Sequence, residues 1–282
     1  MNNTKTALIT GATSGIGYII AKNLAQLNYS IIVLGRSSDK LNKLYKDLTA
    51  INPKIKIDTK ICDLSSLKMV SETCYEINKS DKSIDLMILN AGIWNFEFIE
   101  STDKIEETLQ VNLIAPLLIY SRLKDLIPKN GASKVIFTSS GLHQGVINFK
   151  DIEFSDKFSG FKSYQQSKLG LLMITRWLSN QNANSGISYY SVHPGMVNTE
   201  IGRSASWFLR TFFKLFGRSK EKGAETHVHL IKTMNSELKS GEYYADRKVK
   251  QTTKYSYNMS EAQKLWDVLT EYMNKIPATG SV

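Results

Sequence analysis

The residues best suited to do chemistry are Tyr164 and Lys168, in the run Tyr164-Gln165-Gln166-Ser167-Lys168. Four residues apart on a helix, they share one face, one turn apart. A phenol that ionises only near pH ~10 is a poor acid–base group at neutral pH. An ammonium close by favours the phenolate and lowers that value. The tyrosine can then exchange a proton with a hydroxyl or carbonyl while a hydride moves elsewhere. The same spacing occurs on solvated helix faces, so the reading rests on what the rest of the chain places around the pair.

The chain has 282 residues, a length that suits one large domain with a substantial core. Its two cysteines, Cys62 and Cys74, lack metal-ligand spacing and are expected as free packing thiols. His227 and His229 stand apart from other ligands, so no metal is expected. The first apolar run, Ala7-Leu8-Ile9, follows closely on Met1, and no run is long enough to span a bilayer. A cytoplasmic location is the expectation. The net charge of +10 comes from lysines scattered along the chain, which suits a solvated surface rather than a nucleic-acid site.

Strand and helix patterns alternate along the chain. Thr6–Thr10 reads as a buried strand, followed by Gly11-Ala-Thr13-Ser14-Gly15-Ile16-Gly17 and a helical pattern through Ile20, Leu24 and Leu27. Glycines there allow a tight turn and close approach of a ligand, and the helix N-terminus offers free N–H groups to a phosphate. The spacing is G-x-x-x-G-x-G rather than G-x-G-x-x-G. A second strand, Ser30–Leu34, ends at Gly35-Arg36-Ser37. An acid at that position would bind both ribose hydroxyls, whereas Arg36 can pair a 2′-phosphate, which favours NADP(H). Leu41–Leu48 reads as a helix, Ile55–Ile61 as a third strand leading to Asp63-Leu64, and Leu67–Ile77 as a helix. Ile84–Leu89 is a fourth strand, ending at Asn90-Ala91-Gly92. A long helical pattern covers Thr102–Leu126 and contains Asn112, which needs a hydrogen-bond partner if buried. Lys134–Thr138 is a fifth strand, followed by Ser139-Ser140. Tyr164 opens a helix to about Leu178. Ile187–Val192 is a sixth strand ending at His193-Pro194-Gly195, Glu242–Tyr244 a short seventh, and Ala262–Met273 a last helix. This order predicts a Rossmann-type α/β fold: a doubly wound parallel sheet of about seven strands, helices on both faces, in one domain over 1–282. The motif residues all fall at the carboxyl edge of the sheet, where open α/β sheets bind ligands.

On these pieces the chain resembles the short-chain dehydrogenase/reductase family along almost its whole length. The resemblance implies roles. Tyr164 would be the acid–base. Lys168 would lower its pKa and hold the nicotinamide ribose. Ser140 would bond the substrate oxygen, preferred over the competing neighbour Ser139 because it stands where the family's second serine of such pairs stands, and Asn112 would hold a water in a relay to Lys168. Thr10, Gly11, Thr13, Ser14, Gly15, Ile16, Gly17, Arg36 and Ser37 would line the cofactor, with Asp63 and Leu64 at the adenine. Asn90, Ala91 and Gly92 would line the cleft, with Pro194, Gly195, Val197 and Thr199 at the nicotinamide end. His143 would join Ser140 at the substrate. Ser139-Ser140-Gly-Leu-His143, Tyr189 through Gly195 and the final Lys-Leu-Trp266 look like the retinol dehydrogenase and WW-domain oxidoreductase branch. Two departures stand out: the N-terminal membrane segment of many retinol dehydrogenases is missing, and Leu89 replaces the first Asn of Asn-Asn-Ala-Gly.

The leading expectation is an NADP(H)-dependent oxidoreductase acting on a lipophilic carbonyl or alcohol. The alternative is a catalytically idle, cofactor-binding or scaffolding member of the same family. A homo-oligomer is admitted among the partners. The segment Ile201–Lys220 lacks acidic residues and is rich in aromatics, including Trp207, Phe208, Phe212, Phe213 and Phe216. On a helix, Arg210, Lys214 and Arg218 share one face opposite the apolar one. It is expected as a substrate lid, with peripheral membrane contact as the further reading.

Overall fold

The computed structural model describes residues 4–80, 82–197 and 217–277. Thr199 and residues 201–216 of the expected lid lie outside the described residues.

The apolar runs form one eight-stranded sheet in the order β3-β2-β1-β4-β5-β6-β7-β8. The strands are β1 Thr6–Thr10, β2 Ser30–Gly35, β3 Ile57–Ile61, β4 Leu86–Leu89, β5 Ser133–Thr138, β6 Ile187–His193, β7 Tyr243–Ala245 and β8 Lys248–Val249. All neighbours pair in parallel except β7 with β8, which run antiparallel. The eighth strand was not expected from sequence: two exposed residues carry no period that could announce a strand.

Because side chains alternate across a strand, each strand feeds both layers. Leu8, Met87, Val135, Phe137 and Tyr189 join one core with residues of α3 (Leu67–Asn78), α5 (Ala115–Leu123), α6 (Gly160–Gln181) and α8 (Met259–Asn274). Ala7, Ile9, Ile88, Ile136 and Tyr190 join the other with residues of α1 (Gly15–Gln26), α2 (Ser38–Ile51) and α7 (Lys220–Lys232). The continuous apolar strands are thus those of a parallel sheet covered on both faces.

Three expectations about helices need correction. The pattern over Thr102–Leu126 is not one helix: α4 (Glu107–Leu109) leads into a π turn at Gln110–Ile114, then α5, then a 3-10 turn at Lys124–Leu126. Apolar spacing cannot register a single turn that carries an extra residue. Tyr164 does not open its helix. Ser159 caps it through Lys162 N, placing Tyr164 in the second turn of a 22-residue helix. Arg218 is not helical either. It pairs in a short bridge with Val197, and Ser219 then caps α7 through Lys222 N.

Candidate active site

The carboxyl ends of β1, β4, β5 and β6 bring the glycine loop, Asn90, Ser140 and Pro194-Gly195 to one edge of the sheet. At the end of β1 the chain turns at Gly11, whose φ is +68° and whose Cβ, if present, would lie 2.8 Å from Ala91 Cα. A Cβ on Gly17 would lie 2.2 Å from the Gly11 carbonyl oxygen and 2.6 Å from Asn90 Nδ2. Only glycine fits either place. Thr10 Oγ1 accepts from the backbone N–H groups of both Asn90 and Ala91 at 3.0 Å. Asn90 Nδ2 in turn donates to the Thr10 carbonyl at 3.2 Å and the Gly11 carbonyl at 3.4 Å. The loop is therefore held from below, while Thr13 and Ser14 lead into α1. Ser14 is the N-cap of α1 but its side chain accepts no capping bond, so the first turn, with Gly15 and Ile16, keeps N–H groups for an anion.

Around this loop the expected cofactor residues are found at the edge. Arg36 is exposed where β2 ends, and Gly35 beside it lies within 3.4 Å, from its would-be Cβ, of Thr13 Cγ2. Ser37 caps α2 by accepting from Lys40 N. Asp63 Oδ1 accepts from Ser65 N and Oγ at 3.0 and 2.9 Å, which fixes the turn after β3, and Leu64 beside it is buried. Gly195 has φ +83° and lies against the Arg218 side chain, which is paired with Asp246. Val197 packs on α7 where a Gly223 Cβ would be, 2.5 Å from its Cγ2 and 2.7 Å from Ile16 Cγ2. A nicotinamide dinucleotide fits such a set: a glycine floor closed to any Cβ, an uncapped helix N-terminus and a cation at the second strand.

Tyr164 and Lys168 are both buried under this edge, at 7% and 2% exposure. Burial pushes the Tyr164 phenol up, and the Ser140 hydroxyl, as a hydrogen-bond partner, pulls it down. The Lys168 Nζ lies 5.7 Å from the Tyr164 ring centroid. Burial lowers Lys168 itself to about 8. Its Nζ donates to the Thr138 carbonyl at 2.9 Å. The spacing thus gives proximity, and burial favours the neutral phenol at rest.

The two serines separate by their partners. Ser139 Oγ donates to the Lys168 carbonyl at 2.8 Å, tying β5 to α6, whereas Ser140 faces Tyr164 and accepts from Leu142 N at 3.1 Å. Asn112, fully buried in the π turn, accepts from Ile93 N at 2.8 Å and donates to the Ile93 carbonyl at 2.9 Å and to Ser167 Oγ at 3.1 Å. It therefore clamps the chain just after Gly92. A Cβ on Gly92 would lie 3.1 Å from Lys168 Nζ and 3.2 Å from Asn112 Oδ1, so both groups converge on that residue.

Several supports escaped the sequence reading. Trp94 stacks on the Tyr164 ring, centroids 4.5 Å apart and planes at 14°. Glu106, fully buried, caps α4 through Thr108 N and Leu109 N and accepts from Ser163 Oγ at 2.7 Å, beside Tyr164. The Ser140 carbonyl accepts from Tyr243 OH at 3.0 Å and faces His143 Nδ1 at 2.8 Å. His143 is thus engaged with the backbone of the catalytic-serine candidate. A buried polar residue beside apolar ones was the available signal for Glu106; nothing local marks Trp94 or Tyr243.

The chain matches the family model described as short chain dehydrogenase over residues 5–207. It is 29% identical over 268 residues to "Retinol dehydrogenase 11" of Mus musculus, covering 94% of this chain and 84% of that protein. It is 27% identical over 286 residues to "Polyprenol dehydrogenase" of Homo sapiens, covering 98% and 87%. Among solved structures, an uncharacterized protein from Mycobacterium Paratuberculosis superposes with a TM-score of 0.77 at 22% identity, over 96% of this chain and 94% of that one. A short chain dehydrogenase from Burkholderia cenocepacia, solved in complex with NADP, gives 0.68 at 20% identity, over 85% and 94%. By the family match and the architecture together, the chain belongs to the short-chain dehydrogenases, within a group similar to the retinol dehydrogenases.

Proposed function

We propose that this oxidoreductase uses NADP(H) to interconvert a carbonyl and an alcohol on a lipophilic substrate, with Tyr164 as the acid–base. The observation that carries it is the buried trio: the Ser140 hydroxyl on the Tyr164 phenol, with the Lys168 ammonium on the Thr138 carbonyl at the end of β5. When bound, the nicotinamide supplies or accepts the hydride. This chain's own residues do the rest. Ser140 and Tyr164 present two hydroxyls to one substrate oxygen. The phenol, kept protonated by burial, donates to that oxygen in reduction and takes the proton back in oxidation. Lys168 stabilises the phenolate that forms, and Trp94 excludes water from one face of the ring.

Arg36 supports the choice of NADP(H), since a guanidinium can form charge-assisted pairs with a 2′-phosphate. The solved relative that carries NADP is in accord with it. The names of the curated relatives favour a lipophilic alcohol or aldehyde. Among the described residues no helix is long and apolar enough to cross a membrane. Residues 201–216 are proposed to close over the substrate and to touch an anionic bilayer surface. Arg218, just past that stretch, is paired with Asp246 at the surface. The test of the function is a panel of lipophilic aldehydes, ketones and alcohols, read by NADPH oxidation or NADP⁺ reduction. NADPH binding without turnover of any member would favour the idle, scaffolding alternative.

A further inference from the structure

His227 lies in the middle of α7, fully buried, on the opposite side of the sheet edge from Tyr164 and outside any role derived above. Its Nε2 is 2.9 Å from Thr138 Oγ1. Thr138 Oγ1 is in turn 3.4 Å from Asn90 Oδ1. Asn90 spends its Nδ2 hydrogens on the Thr10 and Gly11 carbonyls. The senses of these bonds follow from what each group can do. Asn90 Oδ1 only accepts, so the Thr138 hydroxyl must donate to it. That hydroxyl has a single proton, so His227 must donate to Thr138 through Nε2–H. Nδ1 is then a bare acceptor, and it is the ring atom without a hydrogen-bond partner among the described residues. The opposite assignment would leave two groups unpaired, an Nδ1–H and Asn90 Oδ1, and buried polar groups are rarely left so. Burial keeps the imidazole neutral, lowered to about 3, in agreement with one N–H and one bare nitrogen.

We infer that His227 is a positioning residue for the cofactor site, acting through Thr138 and Asn90 on the floor of the glycine loop. The bonds run in one direction, from α7 through β5 and β4 to the Gly11 carbonyl. Thr138 is their node, since its carbonyl also holds Lys168 Nζ at 2.9 Å. One threonine therefore sets both the loop under the cofactor and the lysine beside Tyr164, and His227 fixes the rotamer of that threonine. Further up α7, Gly223 packs against Ile16 in the first turn of the helix that follows the glycines, and against Val197 beyond β6.

This inference rests on the reading that a nicotinamide dinucleotide lies on the glycine loop. The experiment titrates NADPH into wild-type protein and the His227→Phe, His227→Gln and Thr138→Val variants, and records melting with and without the nucleotide. His227→Phe keeps the ring's bulk and removes the donor. It should raise the NADPH dissociation constant by about three- to tenfold, the effect of one hydrogen bond. Thr138→Val should do the same, and the double variant should add little to either single one, because both break the same chain. His227→Gln, which restores an N–H, should recover most of the affinity. A lower melting temperature for His227→Phe with unchanged NADPH affinity would overturn the inference and leave a core role only. If that variant fails to fold, Thr138→Val decides alone, since it is isosteric. Wild-type protein that binds neither NADPH nor NADH would overturn the functional reading itself, and the role of His227 with it.

Discussion

Tyr164→Phe removes one oxygen and leaves the ring. The Trp94 stack, with centroids 4.5 Å apart, is kept, as is the helical position of Lys168. The lost group has the Ser140 hydroxyl as its partner, so the stability cost is that of one hydrogen bond, about 0.5–1.5 kcal/mol. The catalytic cost is larger. Without the phenol no group at the substrate oxygen can donate a proton and be stabilised as its anion by Lys168; Ser140 is far too weak an acid. General acid–base catalysis of this kind accounts for about 10²–10⁴-fold in turnover, or about 2.7–5.4 kcal/mol at 1.36 kcal/mol per decade. The two magnitudes do not overlap, so unfolding cannot mimic the effect. The assay is steady-state NADPH oxidation with a carbonyl turned over by wild-type protein, beside an NADPH titration by fluorescence. We expect kcat to collapse while the NADPH dissociation constant moves less than about threefold, since the phenol makes none of the phosphate contacts. Turnover at the wild-type rate would refute the assignment of Tyr164. An equal loss of cofactor binding would show that the residue shapes the cleft rather than the proton transfer.

Arg36→Asp should weaken NADPH by about 1.5–3 kcal/mol and spare NADH, as a charge-assisted pair is replaced by repulsion; tighter NADH than NADPH binding by the unaltered protein would sink that reading. Lys168, lowered from 10.5 to about 8, releases in the folded state a proton that the unfolded chain keeps up to about 10.5. Its contribution to stability therefore grows as pH rises above about 8 and is lost as pH falls back through it. Lys134, also lowered to about 8 by burial, acts in the same window and sense. Lys168→Met should flatten the rise in urea-unfolding stability between pH 8 and 9.5 by up to about 2 kcal/mol, leaving the share from Lys134. An unchanged slope would show that Lys168 is solvated. If residues 201–216 touch membrane, the protein should co-sediment with anionic vesicles, less at high salt, and Phe212→Ser with Phe216→Ser should abolish this; sedimentation no greater than with neutral vesicles would leave only the lid.

What the sequence revealed and what it hid divide along physical lines. The parallel strands were legible because strands buried on both faces must be apolar runs, and Thr6–Thr10 was bounded to the residue. The motif residues were legible because they sit where those runs stop. Helix α7 was not expected, although Ala224, His227, Leu230 and Ile231 are buried at helical spacing. A histidine in the core stripe and a charged remainder disguise its amphipathic pattern. Supports that come from afar left no local trace: Ser163 to Glu106 spans 57 residues and Tyr243 to Ser140 spans 103. The preference for Ser140 over Ser139 rests on the family resemblance, and the Ser139 hydroxyl is spent on the α6 backbone.

The π turn at Gln110–Ile114 carries a consequence for how this chain can vary. It fits one residue more into its turn than the helices on either side. Residues upstream, with Glu106 capping α4, and residues downstream, with Leu117 and Tyr120 in the core, are therefore out of step by one position. Deleting one residue here would heal the hydrogen-bond ladder into a regular helix, which looks harmless on local grounds. It would also swing one flank by about 100° about the helix axis, the angle that one residue subtends. Either Asn112 would leave Ile93, or Tyr120 would leave Tyr189, to which its hydroxyl bonds at 2.9 Å. Single-residue deletions in this stretch, all of it buried, should thus be among the least tolerated in the chain.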